Sequence, residues 1–150
     1  MYRNILVPID GSDTASRGLE EAIRLAKALG SQIRLVHVVN EWRGVPADLV
    51  GIDLRSVVED QRRHGEELIA AARDRARKEP VEVDTLLIEA WGGGAGALIT
   101  QHAKDWPAEL IVCGTHGRRG IARLLMGSDA EEIVRQSPVP VLLVRDVAAK

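Results

Sequence analysis

Five short apolar runs punctuate the chain, at residues 4–9 (NILVPI), 33–39 (IRLVHVV), 81–88 (VEVDTLLI), 109–114 (ELIVCG) and 139–145 (VPVLLVR). Their length and aliphatic content predict β-strands. The first, second, fourth and fifth barely alternate, as parallel strands covered on both faces do, whereas partial alternation in the third predicts an edge position. Between them the period becomes helical. Ala15, Leu19, Ala22, Ile23, Ala26 and Leu29 recur at steps of three and four and stop at Gly30, a residue suited to a left-handed C-terminal cap. A second stripe, Leu54, Val57, Val58, Leu68, Ile69, Ala72 and Ala76, has EDQRRHGEE on its polar side and ends before Pro80. Shorter helices are predicted over 95–104 and 128–136, the latter ending before Ser137-Pro138. The order βαβαβαβαβ, with right-handed crossovers, predicts a doubly wound, Rossmann-like α/β fold: a five-stranded, mostly parallel sheet with helices on both faces. Residues 42–53 form the one long irregular loop, a length often tied to function.

Composition adds limits to this picture. The chain has 150 residues, 45% of them apolar and 28% charged, which fits one soluble globular domain spanning 1–150. A net charge of -2 supplies no overall attraction to nucleic acid or to an anionic membrane, so neither is expected as a partner. One cysteine rules out an internal disulfide and a cysteine-rich zinc site. The first apolar run is broken by Pro8 and Asp10 and is too short for a signal or a spanning segment, so the expected location is the cytoplasm.

In a doubly wound sheet, ligands bind outside the carboxyl ends of the strands, where the strand order reverses. The first strand delivers Pro8, Ile9 and Asp10 there, followed by Gly11-Ser12-Asp13. The fourth delivers Cys113 and Gly114, followed by THGRRGIARLLMGSDAE. If these two strands are neighbours, Asp10 and the glycine loop face one another. At the end of that loop Ser128 is expected to cap the last helix, with Glu131 completing an S-x-x-E capping box. A helix N-terminus with Gly127 just before it makes an anion site. Gly114 and Gly117 are expected at positive φ, turning further N–H groups inward, and Arg118, Arg119 and Arg123 add positive charge. Read locally, the same glycines also suit a tight turn with no ligand at all.

The complete pattern G-x2-G-x9-G-S, made by Gly114, Gly117, Gly127 and Ser128, resembles the nucleotide-binding motif of the universal stress protein family. NILVPIDGSD, LVHVV, ELIVCGTHGR and SPVPVLLVR are similar to the family's first, second, fourth and fifth strands, so the resemblance covers essentially the whole chain. It implies ATP or AMP as ligand, with Mg²⁺ riding on the phosphates of a triphosphate. It also implies an adenine pocket near Pro8, Ile9, Asp10 and Val38, with Asp10 on the nucleoside. Gly114 and Gly117 would approach the ribose and α-phosphate, and Gly127, Ser128 and Asp129 the distal phosphates. His116 and Arg118 lie in the same loop and are included among the phosphate contacts. The chain departs from the pattern at Asp129, where many ATP-binding members carry a small apolar or hydroxyl residue; this puts an acid beside the phosphates. The resemblance further implies a homodimer formed by antiparallel pairing of strand 139–145, an apolar strand that would otherwise be an exposed edge.

Other features carry less. Gly92, Gly94 and Ala97 match G-x-G-x-x-A, but in the third crossover and with no acid ending the next strand to receive a ribose. Cys113 ends an apolar strand without a base partner and reads as a small buried hydrophobe. His37 reads as a satisfied core residue and His64 and His102 as helix-surface positions; none has metal-ligand spacing. No nucleophile and general base stand in an evident pair, so the expectation is a nucleotide-binding regulatory module and no catalytic residue is assigned. The alternatives are a slow metal-dependent ATPase in which Asp10 or Asp129 positions water, and an interaction dimer whose pocket holds no nucleotide.

Overall fold

The computed structural model describes residues 1–40, 53–116 and 126–145. Its elements are β1 (Asn4–Pro8), α1 (Asp13–Leu29), β2 (Gln32–Asn40), α2 (Leu54–Ala76), β3 (Glu82–Ala90), α3 (Ala95–Asp105), β4 (Leu110–Gly114), α4 (Ser128–Gln136) and β5 (Val141–Val144). All four strand pairings are parallel, in the order β3-β2-β1-β4-β5. The doubly wound α/β fold expected from the periodicity is therefore present, and β3 lies at an edge as its partial alternation predicted.

The continuous apolar runs have a direct packing cause. Ile5, Leu6 and Val7 of β1 are each fully buried, because this central strand is covered on both faces. Ile5, Val7, Ile33 and Leu35 share one cluster with Leu19, Ala22 and Ile23 of α1 and Ile69 and Ala72 of α2. Leu6, Val36 and Ile111 share the other with Ile99 and Ala103 of α3 and Ile133 of α4. Gly30 caps α1 in the left-handed conformation, φ 68°, as expected. At the other end Ser12 is the N-cap, its side chain accepting from the Ala15 N–H at 3.1 Å.

Helix α2 departs from the sequence reading. Its stretch 59–67 is not a uniformly polar side, because Gly65 within it is buried. A methyl group on Gly65 would lie 2.8 Å from both His37 Cδ2 and Val39 Cγ2. Glycine inside a helix costs about 1 kcal/mol relative to alanine. Here that cost is offset by a close approach of α2 to the carboxyl end of β2, which carries Gln61 and His64 toward the site described next.

Candidate functional site

Strands β1 and β4 are neighbours, with Ile5 opposite Leu110 and Leu6 opposite Ile111, so the strand order reverses between them. Beyond the paired residues the two chains diverge toward different helix layers and leave a cavity of about 560 Å³. That size suits a small organic ligand. Pro8, Ile9 and Asp10 line it from β1, Val38 from β2, Gly114 and His116 from the end of β4, and Gly127, Ser128 and Asp129 from the start of α4. Nine of the eleven residues singled out from the sequence thus meet at one cavity. Gly117 and Arg118 lie outside the described residues, as do Arg119, Arg123 and all of the 42–53 loop except Asp53.

The β1 side of the cavity is built by local hydrogen bonds. Asp10 Oδ1 accepts from the Ser12 N–H at 2.9 Å, a turn in which Gly11 takes φ 81°. The β4 side is fastened to the same turn, because the His116 carbonyl accepts from the Thr14 and Ser12 hydroxyls, the latter at 3.4 Å. The first turn of α1 therefore fastens the chain at His116, just past β4, a long-range tether with no local sequence signature.

Two expectations about the loop are corrected by the geometry. Gly114 is not at positive φ; among the described glycines that conformation occurs at Gly11, Gly30, Gly92 and Gly93. Its lack of a side chain serves packing, since a methyl group there would lie 2.7 Å from the Thr14 backbone carbon. Second, the N-cap of α4 is Gly127, at φ -63° and ψ 151°, and it makes no side-chain cap; Ser128 is the first helical residue. The S-x-x-E capping box consequently does not form. Glu131 pairs with Arg135 at 2.6 Å on the exposed side instead. Of the acidic residues in the first turns of α4, Glu132 points toward α3, and Asp129, at the second helical position, is the one that lines the cavity, as its expected place beside the phosphates requires.

The α4 terminus remains suited to anions. Its first internal hydrogen bond runs from the Glu131 N–H to the Gly127 carbonyl at 2.9 Å, so intrahelical partners begin only at Glu131. The Gly127 N–H is committed to the Thr115 carbonyl at 2.8 Å. Ser128, Asp129 and Ala130, the positions whose N–H groups lack an intrahelical partner, line the cavity.

Burial settles the standing of the other candidates. Cys113 is buried, and desolvation pushes its thiol up to about 12, so no thiolate is available near neutrality. His37 is buried, with Nδ1 2.6 Å from the Ile9 carbonyl, as a satisfied core histidine should be. His102 lies against Arg34, and burial and then that guanidinium lower its pKa. His64 is exposed but lines the cavity rim, which the helix-surface reading did not foresee. The G-x-G-x-x-A stretch is not a second phosphate site: methyl groups on Gly94 and Gly96 would lie 2.5 and 2.8 Å from Glu132 Oε2. The N-terminus of α3 thus already carries a carboxylate. Among the described residues, no three histidine, cysteine or acidic side chains are grouped to hold a metal ion.

The sequence model of the universal stress protein family matches residues 1–145. The chain belongs to that family. A universal stress protein of Thermus aquaticus is 34% identical over 145 residues, spanning 97% of this chain and all of its own. Among solved structures, universal stress protein UspA from Lactobacillus plantarum superposes with a TM-score of 0.82 at 25% identity, over 96% of this chain and 98% of its own. Two further structures share the fold: the Archaeoglobus fulgidus universal stress protein in complex with dAMP and a universal stress protein in complex with cAMP. Their TM-scores are 0.70 and 0.71, at 24% and 21% identity, over 95% and 96% of this chain and 98% and 97% of their own.

Within this universal stress protein, the sequence missed the contribution of α2. Gln61 and His64 line the cavity one helical turn apart, and Asn40 closes its edge from β2. The signal that could have found them was Gly65, an unfavourable residue in mid-helix that marks where the helix backbone comes close to a strand. Ala95 and Ile99 of α3 also line the cavity, where the sequence reading predicted only a helix over 95–104. Among the described residues, no helix is long and apolar enough to cross a membrane.

Proposed function

We propose that this universal stress protein, a single domain over 1–150, binds an adenine nucleotide, ATP or AMP, as a small cytoplasmic regulatory module. The observation that carries the reading is the convergence of Pro8, Ile9, Asp10, Val38, Gly114, His116, Gly127, Ser128 and Asp129 on one cavity at a helix N-terminus. The dAMP and cAMP complexes of family relatives support the ligand class. In this reading the base lies toward Pro8, Ile9, Asp10 and Val38 and the phosphates toward the start of α4, with Gly117 and Arg118 completing the loop. A triphosphate brings Mg²⁺ with it, held by the phosphates.

The test is calorimetric titration with AMP and with ATP, with and without Mg²⁺, together with native mass spectrometry of the purified protein. Saturable binding of one nucleotide per chain is expected. No heat with either nucleotide and no retained mass would leave the family's fold without this function. Asp10 and Asp129 both line the cavity, which favours a slow metal-dependent ATPase as the second reading. Turnover abolished by Asp10→Ala would establish it.

Assembly follows from the other edge. Strand β5 ends the sheet order, and Leu142 on it is 36% exposed. The proposed homodimer pairs this strand with its copy across a two-fold axis. Sedimentation should give a dimer that Leu142→Lys dissociates; a monomer at every concentration removes the proposal.

A further inference from the structure

Trp91 is 73% exposed, although the large apolar surface of an indole is usually covered. Its place in the fold is the carboxyl end of the sheet. Ala90, the residue before it, is buried and pairs with Asn40 of β2, and Asn40 lines the cavity. Neighbouring strands lie about 4.8 Å apart and rise about 3.3 Å per residue, which puts the Trp91 backbone about 6 Å from that of Asn40. By the two-residue period of β3, Trp91 shares a side with Glu89, which pairs with Arg62 of α2 at 3.2 Å. Gln61 and His64, which flank Arg62 on that helix, line the cavity.

The chain is pinned on both sides of the indole. Ala90 is fixed by the sheet, and the Gly93 carbonyl accepts from Asn40 Nδ2 at 3.0 Å, so Trp91 and Gly92 are the two residues between the fixed points. Gly92 and Gly93 take φ 107° and 85°, and nothing lies within 4 Å of where a side chain on either would stand. The indole is thus held beside the cavity rim with open space around its support.

Ligand chemistry indicates what would cover it. Among the described residues lining the cavity there is no phenylalanine, tyrosine or tryptophan, whereas Val38, Ala95 and Ile99 offer aliphatic surface from within. A nucleobase has two flat faces to cover. The other described aromatic residues lie elsewhere: Trp106, at the far end of α3, has the Arg34 guanidinium 4.6 Å over its ring, and Tyr2 precedes β1 at the opposite end of the sheet.

Resting on the nucleotide reading above, we propose that Trp91 is the base-stacking residue of this site. Its indole turns over the rim and covers the outer face of the bound nucleobase, whose inner face lies on the aliphatic wall. Every base has a π face, so this contact adds affinity for the base and leaves the choice among bases to the wall. A sugar phosphate without a base gains nothing from it.

The exposure of Trp91 makes Trp91→Ala a substitution that the fold should tolerate. Calorimetric titration of the full chain with AMP should show affinity about tenfold lower in that variant, within the range of one base–aromatic stack, and Trp91→Phe should restore most of it. Ribose 5-phosphate should bind wild type and Trp91→Ala alike. Acrylamide quenching supplies a second readout, because Trp42 and Trp106 are common to wild type and Trp91→Ala. Saturating AMP should protect wild-type fluorescence and leave that of Trp91→Ala unchanged, and ribose 5-phosphate should protect neither. If AMP binds both proteins equally, if ribose 5-phosphate suffers the same loss, or if Trp91 stays as quenchable in the AMP complex as without it, the proposal is overturned while the nucleotide reading stands. If AMP does not bind wild type, both fall together.

Discussion

Helices α3 and α4 start at the same end of the sheet, lie on the same face and are each preceded by glycine. Both N-caps are glycines with extended backbone and no side-chain cap, Gly94 at ψ 142° and Gly127 at ψ 151°. From local sequence they are equivalent anion sites. In the folded protein they are not. The α3 terminus carries Glu132, a residue of α4, whose carboxylate lies where side chains on Gly94 and Gly96 would stand. The α4 terminus opens onto the cavity at the strand switch point. A glycine before a helix therefore reports only that something approaches the backbone closely. Whether that is a ligand or the protein's own carboxylate is decided by a neighbour distant in sequence.

The largest effect should come from breaking the α3–α4 contact itself. A methyl group on Gly96 would lie 2.8 Å from the Asp129 carbonyl oxygen, a backbone atom with little room to yield. Gly96→Val should cost about 1–3 kcal/mol from overpacking, read as a lower urea midpoint with unchanged slope. It should also weaken AMP binding, because the atom displaced belongs to the first turn of α4. A variant as stable as wild type would show that the two helices are not in contact there.

Next in size is Gly127→Val. The glycine is at φ -63°, a conformation open to any residue, so the fold should survive and the entire effect should fall on the ligand. AMP affinity should drop by about tenfold or more, the equivalent of about 1.4 kcal/mol, in a protein whose melting temperature is nearly unchanged. Equal affinity in the folded variant would remove the α4 terminus as the phosphate position.

These two glycines also mark the limit of what the sequence disclosed. The strand and helix order was legible because burial on both faces writes continuous apolar runs, as at fully buried Ile5, Leu6 and Val7. Helix α4 spans 128–136, as the residues before Ser137-Pro138 implied. The site was legible to the extent that strand ends and the glycine motif fix it. What escaped depended on partners remote in the chain: Thr14 against Gly114, Glu132 against Gly94 and Gly96, and His37 against Gly65. Ser128 was misassigned because a serine three residues before a glutamate favours capping locally, whereas the Thr115 carbonyl accepts from Gly127 N–H and helps set where the helix begins.

A smaller effect distinguishes the two termini by charge. Glu132→Gln keeps the shape of the side chain and removes the charge beside the α3 dipole. It should cost about 0.3–1 kcal/mol of stability and leave AMP affinity within about twofold, since one charge screened by water contributes only a fraction of 1 kcal/mol at such range. Denaturant unfolding and calorimetry on the same preparation check both halves. If instead affinity changes more than stability, Glu132 faces the ligand and the assignment of the α3 terminus is reversed.

An effect of similar size is the most specific to this chain. Asp129 lines the cavity at the second position of α4, where it stabilises the helix dipole and also stands on the wall proposed for the phosphates. Each phosphate added to the ligand brings more negative charge toward it. At about 6–8 Å in a water-like dielectric one charge contributes about 0.5–0.7 kcal/mol, or about threefold. Asp129→Val should therefore lower stability by about 0.3–1 kcal/mol while raising the ratio of ATP to AMP affinity by about threefold without Mg²⁺. Adding Mg²⁺ should raise the ratio in wild type and narrow the difference between the two proteins, because the metal already offsets the charge that the substitution removes. Titrations of ATP and AMP against both proteins, with and without the metal, give the ratios directly. An unchanged ratio in both conditions would mean that the carboxylate acts only on its own helix, which would make Asp129 the counterpart of Glu132 and erase the electrostatic half of the contrast between α3 and α4.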